Sequence, residues 1–304
     1  MSEATVCDVA VVGAGNMGGA MVARLCERGW SVVVCDSDPL RREQARAAGA
    51  RIAATPAQAA AALGPQAALI VAVVDAAQCT EVLLGTDGAA RAMSAGQLVL
   101  LCPTIAPDDT EALAAALAEL GIGAVDAPMS GGPARARDGS MSLMVAAPAP
   151  VVARCEALLQ ALSSQIFRIS ERVGDGARTK LVNNLLAGIN LVGAAEALAL
   201  AERLGLDLQT TLGVVEASSG QSWIGSDRMR RAIQGDFEPR AHVTLLEKDT
   251  RLAVQAGQAV GFAGPLGARA AQTFAQAHAA GLAEQDDAAL FSLLRTQAVE
   301  PPAA

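Results

Sequence analysis

Four short groups of residues in this 304-residue chain have types and spacings that could do chemistry. The first is Gly13-Ala14-Gly15-Asn16-Met17-Gly18, set behind the apolar run Val9–Val12 and ahead of an alanine-rich helical pattern. In that context G-x-G-x-x-G reads as a dinucleotide-binding turn: Gly13 makes the strand-to-helix turn, Gly15 lets backbone approach a pyrophosphate, and Gly18 lets helix and strand pack closely. A helix opening at Asn16 and Met17 then aims its unbonded N–H groups and its positive dipole end at the phosphates. Asp36 stands 18 residues past Gly18, at the end of the run Ser31–Cys35. A carboxylate there accepts hydrogen bonds from ribose hydroxyls and repels a 2′-phosphate. Ser37 follows it, not arginine, so NAD is expected in preference to NADP. Arg41 and Arg42 read as a solvated helix face, with a phosphate contact as the alternative.

The second group, Asp126-Ala127-Pro128-Met129-Ser130-Gly131-Gly132, follows the apolar run 122–126. A serine hydroxyl beside two glycines leaves backbone N–H groups bare, and such a loop can hold a carboxylate without any positive charge. An ordinary tight turn is the alternative, but the C-terminal end of a parallel strand is where crevices open. In the third group, Gly174–Asn184, Lys180 and Asn184 are four apart and share one helix face. Burying an ammonium and a carboxamide on a mostly apolar helix is costly without a ligand or partner; a lysine that snorkels to solvent is the other reading. The fourth, Lys248-Asp249, is equally explained by a surface ion pair.

The elements that must position these groups show in the pattern of apolar residues. Up to about residue 170, apolar runs alternate with helical periods, as in a parallel α/β sheet; strands are expected at 7–12, 31–35, 68–74, 97–101, 122–126, 142–146 and 166–169. From Gly174 helical periods dominate, punctuated at Gly205, Gly220, Pro239 and Gly264-Pro265. The expected fold is therefore a Rossmann-type dinucleotide-binding domain over 1–173 and an all-α domain over 174–304. One long helix, from about Ala177 to Leu204, links them and borders the substrate crevice.

Composition excludes several classes. A net charge of −8 argues against nucleic acid or an anionic membrane as partner. The apolar stretch Leu181–Ala201 carries Asn183, Asn184, Asn190 and Glu196, fitting a buried helix better than a membrane span. Six scattered cysteines without C-x-x-C spacing read as thiols of a reducing compartment, and the N-terminus lacks a signal pattern, so a soluble, cytoplasmic protein is expected. With no tyrosine, a Tyr-Lys dehydrogenase mechanism is impossible; with only His242 and His278, a zinc-type catalytic metal is not expected.

Taken in order, the four groups resemble the motifs of the β-hydroxyacid dehydrogenase family, over residues 8 to about 295. The resemblance implies that Lys180 is the acid–base, that Asn184 orients the reacting hydroxyl, and that Ser130, Gly131 and Gly132 hold the substrate carboxylate. It also implies that Lys248, Val73, Val74 and Thr104 lie along the cofactor. A homodimer or homotetramer is implied as well, acting on a short hydroxy acid such as 3-hydroxyisobutyrate or L-threonate. Two departures stand out: Cys102-Pro103-Thr104 replaces the common Ser-Ser-Thr, and Val74-Asp75 replaces Leu-Pro, which puts a carboxylate near the cofactor rim. The stretch Ser218–Trp223 looks like the family's substrate-domain segment, so Trp223 is a candidate pocket wall, or else core. An imine reductase on the same architecture and a non-catalytic NAD-binding scaffold are the competing readings; both commonly lack the lysine that stands here at position 180.

Overall fold

The computed structural model describes residues 7–296, and its contacts divide the chain into two compact units, Met1–Lys180 and Leu181–Ala304. In the first unit the strands are β1 (Cys7–Val12), β2 (Val32–Cys35), β3 (Arg51–Ile52), β4 (Leu63–Val71), β5 (Leu98–Leu101), β6 (Gly123–Asp126), β7 (Met129–Ser130), β8 (Ser142–Ala146) and β9 (Gln165–Ser170). They form one sheet ordered β3-β2-β1-β4-β5-β6-β8-β7, with β9 also on β8. Its helices are α1 (Asn16–Glu27), α2 (Pro39–Ala47), α3 (Pro56–Ala61), α4 (Ala76–Leu84), α5 (Pro107–Glu119), α6 (Gly132–Asp138) and α7 (Ala149–Leu162). The long α8 (Asp175–Arg203) begins in this unit.

Strands β1 to β6 are parallel, and β8 runs antiparallel to β6 and β7. The valine- and leucine-rich runs are buried on both faces, as a helix-covered parallel sheet requires. Val9, Val11, Val34, Ile70 and Leu100 point into one core, while Ala10, Val12, Val33, Leu69 and Leu101 point into the other. From β1 the chain goes outward to β2 and β3, then returns to β4 on the other side of β1. That reversal opens a crevice at the C-terminal ends of β1 and β4.

All seven expected strands form. Two more, β3 and β7, have two residues each, too few to show an alternation. The strand expected over 68–74 ends at Val71, leaving Val73 and Val74 beyond it. The reason is a reciprocal cap: Asp75 Oδ1 accepts from the Gln78 N–H (2.8 Å), and Gln78 Oε1 accepts from the Val74 N–H (3.0 Å). Asp75 thus starts α4.

The second unit continues α8 and adds α9 (Leu208–Glu216), α10 (Trp223–Ile233), α11 (Val243–Ala259), α12 (Pro265–Ala277) and α13 (Leu290–Thr296). Leu191, Leu198, Met229, Val243, Phe274 and Phe291 form its core. The charged Asp287, with no exposed surface, is paired by Arg228 (Nε–Oδ1, 2.6 Å), which fastens α10. By length and composition alone α8 could cross a membrane. Its buried residues include Ala177, Lys180, Leu181, Asn184, Gly188, Leu191, Ala195 and Leu198, a recurrence of three to four that marks one packed helix face.

Candidate active site

The glycine turn behaves as its spacing demands. Gly13 has φ +93°, and a Cβ there would lie 2.7 Å from the Ala72 carbonyl oxygen, at the start of the segment after β4. At Gly18 a Cβ would collide with the Gly13 carbonyl oxygen. Gly15 is the opposite: a Cβ there would meet nothing within 4 Å. The N-cap of α1 is Gly15, which brings no capping side chain and leaves a backbone surface there. A dinucleotide pyrophosphate fits such a surface, since bare N–H groups and the helix dipole both favour an anion.

Asp36, at the end of β2, holds this turn from the side. Its Oδ2 accepts from the Ala14 N–H (2.6 Å) and its Oδ1 from the Asp38 N–H (2.8 Å). Arg41 donates to Asn16 Oδ1 (3.2 Å), and Arg42 donates to the carbonyls of Asp36 (2.9 Å) and Ser37 (3.1 Å). Arg41 thus reaches the glycine turn through Asn16, while Arg42 is held at the end of β2, and both remain half-exposed. Thr104 follows β5 and is half-buried. Val74 is exposed beyond β4, and Val73 is half-buried beside it.

Ser130 ends the short β7, where it pairs with Ser142 of β8. Gly131 (φ +131°) and Gly132 (φ +75°) then turn the chain into α6. A Cβ at Gly131 would sit 2.9 Å from Arg135 Cδ and 3.3 Å from the Met141 backbone, so substitution there disturbs packing as well as any bound carboxylate. Asp126, first residue of the motif, is turned inward. It is 1% exposed, and its Oδ2 accepts from the N–H groups of Gly174 and Ala177, both at 2.9 Å. The carboxylate satisfies donors at the start of α8 that a helix leaves unpaired. Burial pushes its pKa up to about 6, against the pull of those backbone hydrogen bonds.

Lys180 and Asn184, one turn apart on α8, are each 7% exposed, which sets aside the solvent-snorkelling reading. In the second unit, Asn184 Nδ2 donates to Asp249 Oδ2 (2.6 Å) and its Oδ1 accepts from Asn183 Nδ2 (2.9 Å). The carboxamide is thereby fixed in orientation, with one N–H left over. Lys248 Nζ lies 2.8 Å from Asp249 Oδ1, near enough for an ion pair, yet that oxygen has no hydrogen-bond donor in line. Asp249 is buried, so Lys248-Asp249 is not the surface pair that its spacing allowed. Trp223 opens α10 and is 47% exposed, with the Arg228 guanidinium 6.0 Å from its ring centre; it is no core residue.

The structure thus gathers three sets: the glycine turn with Asp36, the start of α8 with Asp126, and Asn184 with Lys248 and Asp249. Trp223 stands at the start of α10 in the second unit. The roles of Asp126 and Asp249 escaped the sequence because their partners lie about 50 and 65 residues away. The cap at Asp75 did have a local signal, Asp-x-x-Gln ahead of a helical run.

Comparison with known proteins places the chain in a family. Residues 8–170 match the family described as the NAD binding domain of 6-phosphogluconate dehydrogenase, and residues 174–294 match that described as NAD-binding of NADP-dependent 3-hydroxyisobutyrate dehydrogenase. An L-threonate dehydrogenase of Cupriavidus necator is 36% identical over 287 residues, covering 94% of this chain and 95% of its own. A 3-hydroxyisobutyrate dehydrogenase of Pseudomonas aeruginosa is 35% identical, covering 92% and 94%. The crystal structure of a 3-hydroxyisobutyrate dehydrogenase from Salmonella typhimurium superposes with a TM-score of 0.87 at 36% identity, covering 94% of this chain and 99% of its own. The chain belongs to the β-hydroxyacid dehydrogenase family, and is an oxidoreductase that uses a nicotinamide dinucleotide to act on the CH–OH group of hydroxy acids.

Proposed function

We propose that this dehydrogenase oxidises a short, polar hydroxy acid of the L-threonate or 3-hydroxyisobutyrate type, with NAD preferred and Lys180 as the acid–base. The observation that carries the reading is the burial of Lys180 one helical turn from a buried Asn184 whose carboxamide is fixed by Asp249. Burial of an amine beside a positioned amide is the setting in which a lysine is tuned for proton transfer. In this reading Lys180 Nζ takes the hydroxyl proton, the remaining Asn184 N–H orients the hydroxyl oxygen, and Ser130 with the Gly131 and Gly132 backbone holds the carboxylate. Trp223 walls the pocket. Gly13, Gly15, Asn16, Met17 and Gly18 receive the pyrophosphate, Asp36 the adenosine ribose, and Val73, Val74, Thr104 and Lys248 the remainder of the dinucleotide. When bound, the nicotinamide supplies the hydride acceptor.

The direct test is NAD reduction at mildly alkaline pH with a panel of three- to five-carbon hydroxy acids, L-threonate and 3-hydroxyisobutyrate among them. Turnover of one of these with NAD supports the assignment. Absence of turnover with every member, despite tight NAD binding, would place the substrate outside this class of hydroxy acids.

A homodimer or homotetramer completes the proposal. On α8, Val182, Leu186 and Leu200 are exposed beside the packed face, large apolar side chains that this chain leaves open. Grouped apolar exposure of that kind marks an association surface. Light scattering after size exclusion should give two or four times the chain mass; a monomer at micromolar concentration contradicts it.

A further inference from the structure

We propose that Asp126 is a positioning residue for the reaction: its carboxylate fixes the start of α8 and thereby sets where Lys180 stands relative to the Ser130 loop. The proposal rests on the reading of Lys180 as the acid–base. Asp126 Oδ2 accepts from two N–H groups of one helical start, Gly174 and Ala177, each at 2.9 Å. Two bonds to one atom restrain both the rotation of the helix about its axis and its sliding along it. Gly176, between them, removes the remaining slack: a Cβ there would lie 2.7 Å from the Met144 carbonyl oxygen of β8 and 2.9 Å from the Asp126 carboxyl. The first turn of α8 therefore lies directly on the sheet. Lys180 is four residues past Gly176, on the same face of the helix.

The other end of the restraint is equally short. Asp126 ends β6, and Ser130 is four residues further along the chain. One carboxylate thus connects the segment proposed to hold the substrate to the helix that carries the proposed base. Asp175, the other acid at this helix start, does not share the task, since it is turned to Ser170, Arg172 and Arg178. The arrangement is also expensive: burial raises the Asp126 pKa to about 6. A surface turn would close a helix start without burying a charge.

The test uses purified full-length enzyme with a verified substrate and compares wild type, Asp126→Ala, Asp126→Asn and Lys180→Met, together with Asp126→Ala in the Lys180→Met background. A displacement of about 1 Å in a reacting group costs up to about a hundredfold in rate. Asp126→Ala is therefore expected to lower kcat by about ten- to a hundredfold while changing KM and the NAD dissociation constant by less than about threefold. Asp126→Asn keeps a carbonyl oxygen able to accept both bonds, so it should recover most of the lost kcat. In the Lys180→Met background Asp126→Ala should add little further loss, because two residues acting through one step are not additive. If Asp126→Ala does not yield folded protein, Asp126→Glu replaces it, keeping the carboxylate but pushing the helix out by one methylene, with the same expected fall in kcat. An unchanged kcat, a fall matched by equal weakening of NAD binding, or full additivity with Lys180→Met overturns the proposal. A Lys180→Met enzyme that still turns over normally defeats the acid–base reading itself, which is a separate outcome.

Discussion

Two helix starts in the first unit are built alike and finished differently. At α1 and at α8 a carboxylate from the end of a parallel strand accepts backbone N–H groups: Asp36 takes that of Ala14, and Asp126 takes those of Gly174 and Ala177. Both starts contain a glycine with no room for a Cβ, Gly18 in one and Gly176 in the other. At α1, however, Gly15 borders open space and, as the N-cap, brings no capping side chain, while Asp36 is only half-buried. At α8 the carboxylate itself closes the helix start and is sealed from solvent. An open helix start offers its N–H groups to an anion. A closed one gives up that capacity and gains a fixed position for the side chain one turn later.

The comparison breaks most visibly at Lys180. If the closed start serves chemistry alone, Lys180→Met should lower kcat by about 10²–10⁴-fold, the usual scale for losing a positioned acid–base, with NAD affinity unchanged by calorimetry. Turnover near that of wild type would remove the reason for the closed start. At the open start, Gly18→Ala forces a methyl group onto the Gly13 carbonyl, and such overpacking costs about 1–3 kcal/mol. A lowered unfolding midpoint together with weakened NAD binding is expected; retention of both would show that the turn has more slack than its geometry implies.

Smaller effects sharpen the contrast. Asp36→Ala combined with Ser37→Arg removes an acceptor for the ribose and adds a partner for a 2′-phosphate. It should move the NADP-to-NAD ratio of kcat/KM by about tenfold, or about 1.4 kcal/mol. A wild-type enzyme that already prefers NADP would instead assign the 2′-phosphate to Arg41, which reaches the turn at Asn16, or to Arg42, which bonds the Asp36 carbonyl.

The smallest effect belongs to Asp126 and depends on pH. Its folded pKa of about 6 stands above the ordinary 3.8, so the folded state favours the protonated carboxyl. The associated stability is complete below pH 3.8 and is lost as pH rises through about 6. Relative to Asp126→Asn, the wild type should therefore gain about 1 kcal/mol between about pH 7 and about pH 5 in urea unfolding. A difference that stays flat or changes sign would mean that the carboxylate is better solvated than its burial indicates.

How much of this was legible in the sequence differs between the same two helix starts. The α1 turn is written in one contiguous stretch: an apolar strand, three glycines at fixed offsets, and an acid at the end of the next strand. Most contacts that define it are local or reach the next strand, the crowding of Gly13 by the Ala72 carbonyl being the exception. The α8 start depends on a hydrogen bond across 48 residues, and the orientation of Asn184 on one across 65. The order of residues along the chain carries no record of such pairings. The sheet follows readily from its apolar runs, whereas β3 and β7, two residues each, are too short to show an alternation. The sequence therefore reads Ser130 as part of a loop, although it ends a strand paired to β8.

The scarcity of aromatic residues has a practical consequence. The chain has two tryptophans and no tyrosine. Trp30 packs against the core of the first unit, and Trp223 opens α10 in the second. Each unit thus carries a single indole as its own optical reporter, one leaning on apolar side chains and the other half open to solvent. Trp223→Phe would leave an emission that follows the first unit alone, and Trp30→Phe one that follows the second. Unfolding or ligand titration of either half could then be observed without adding a dye.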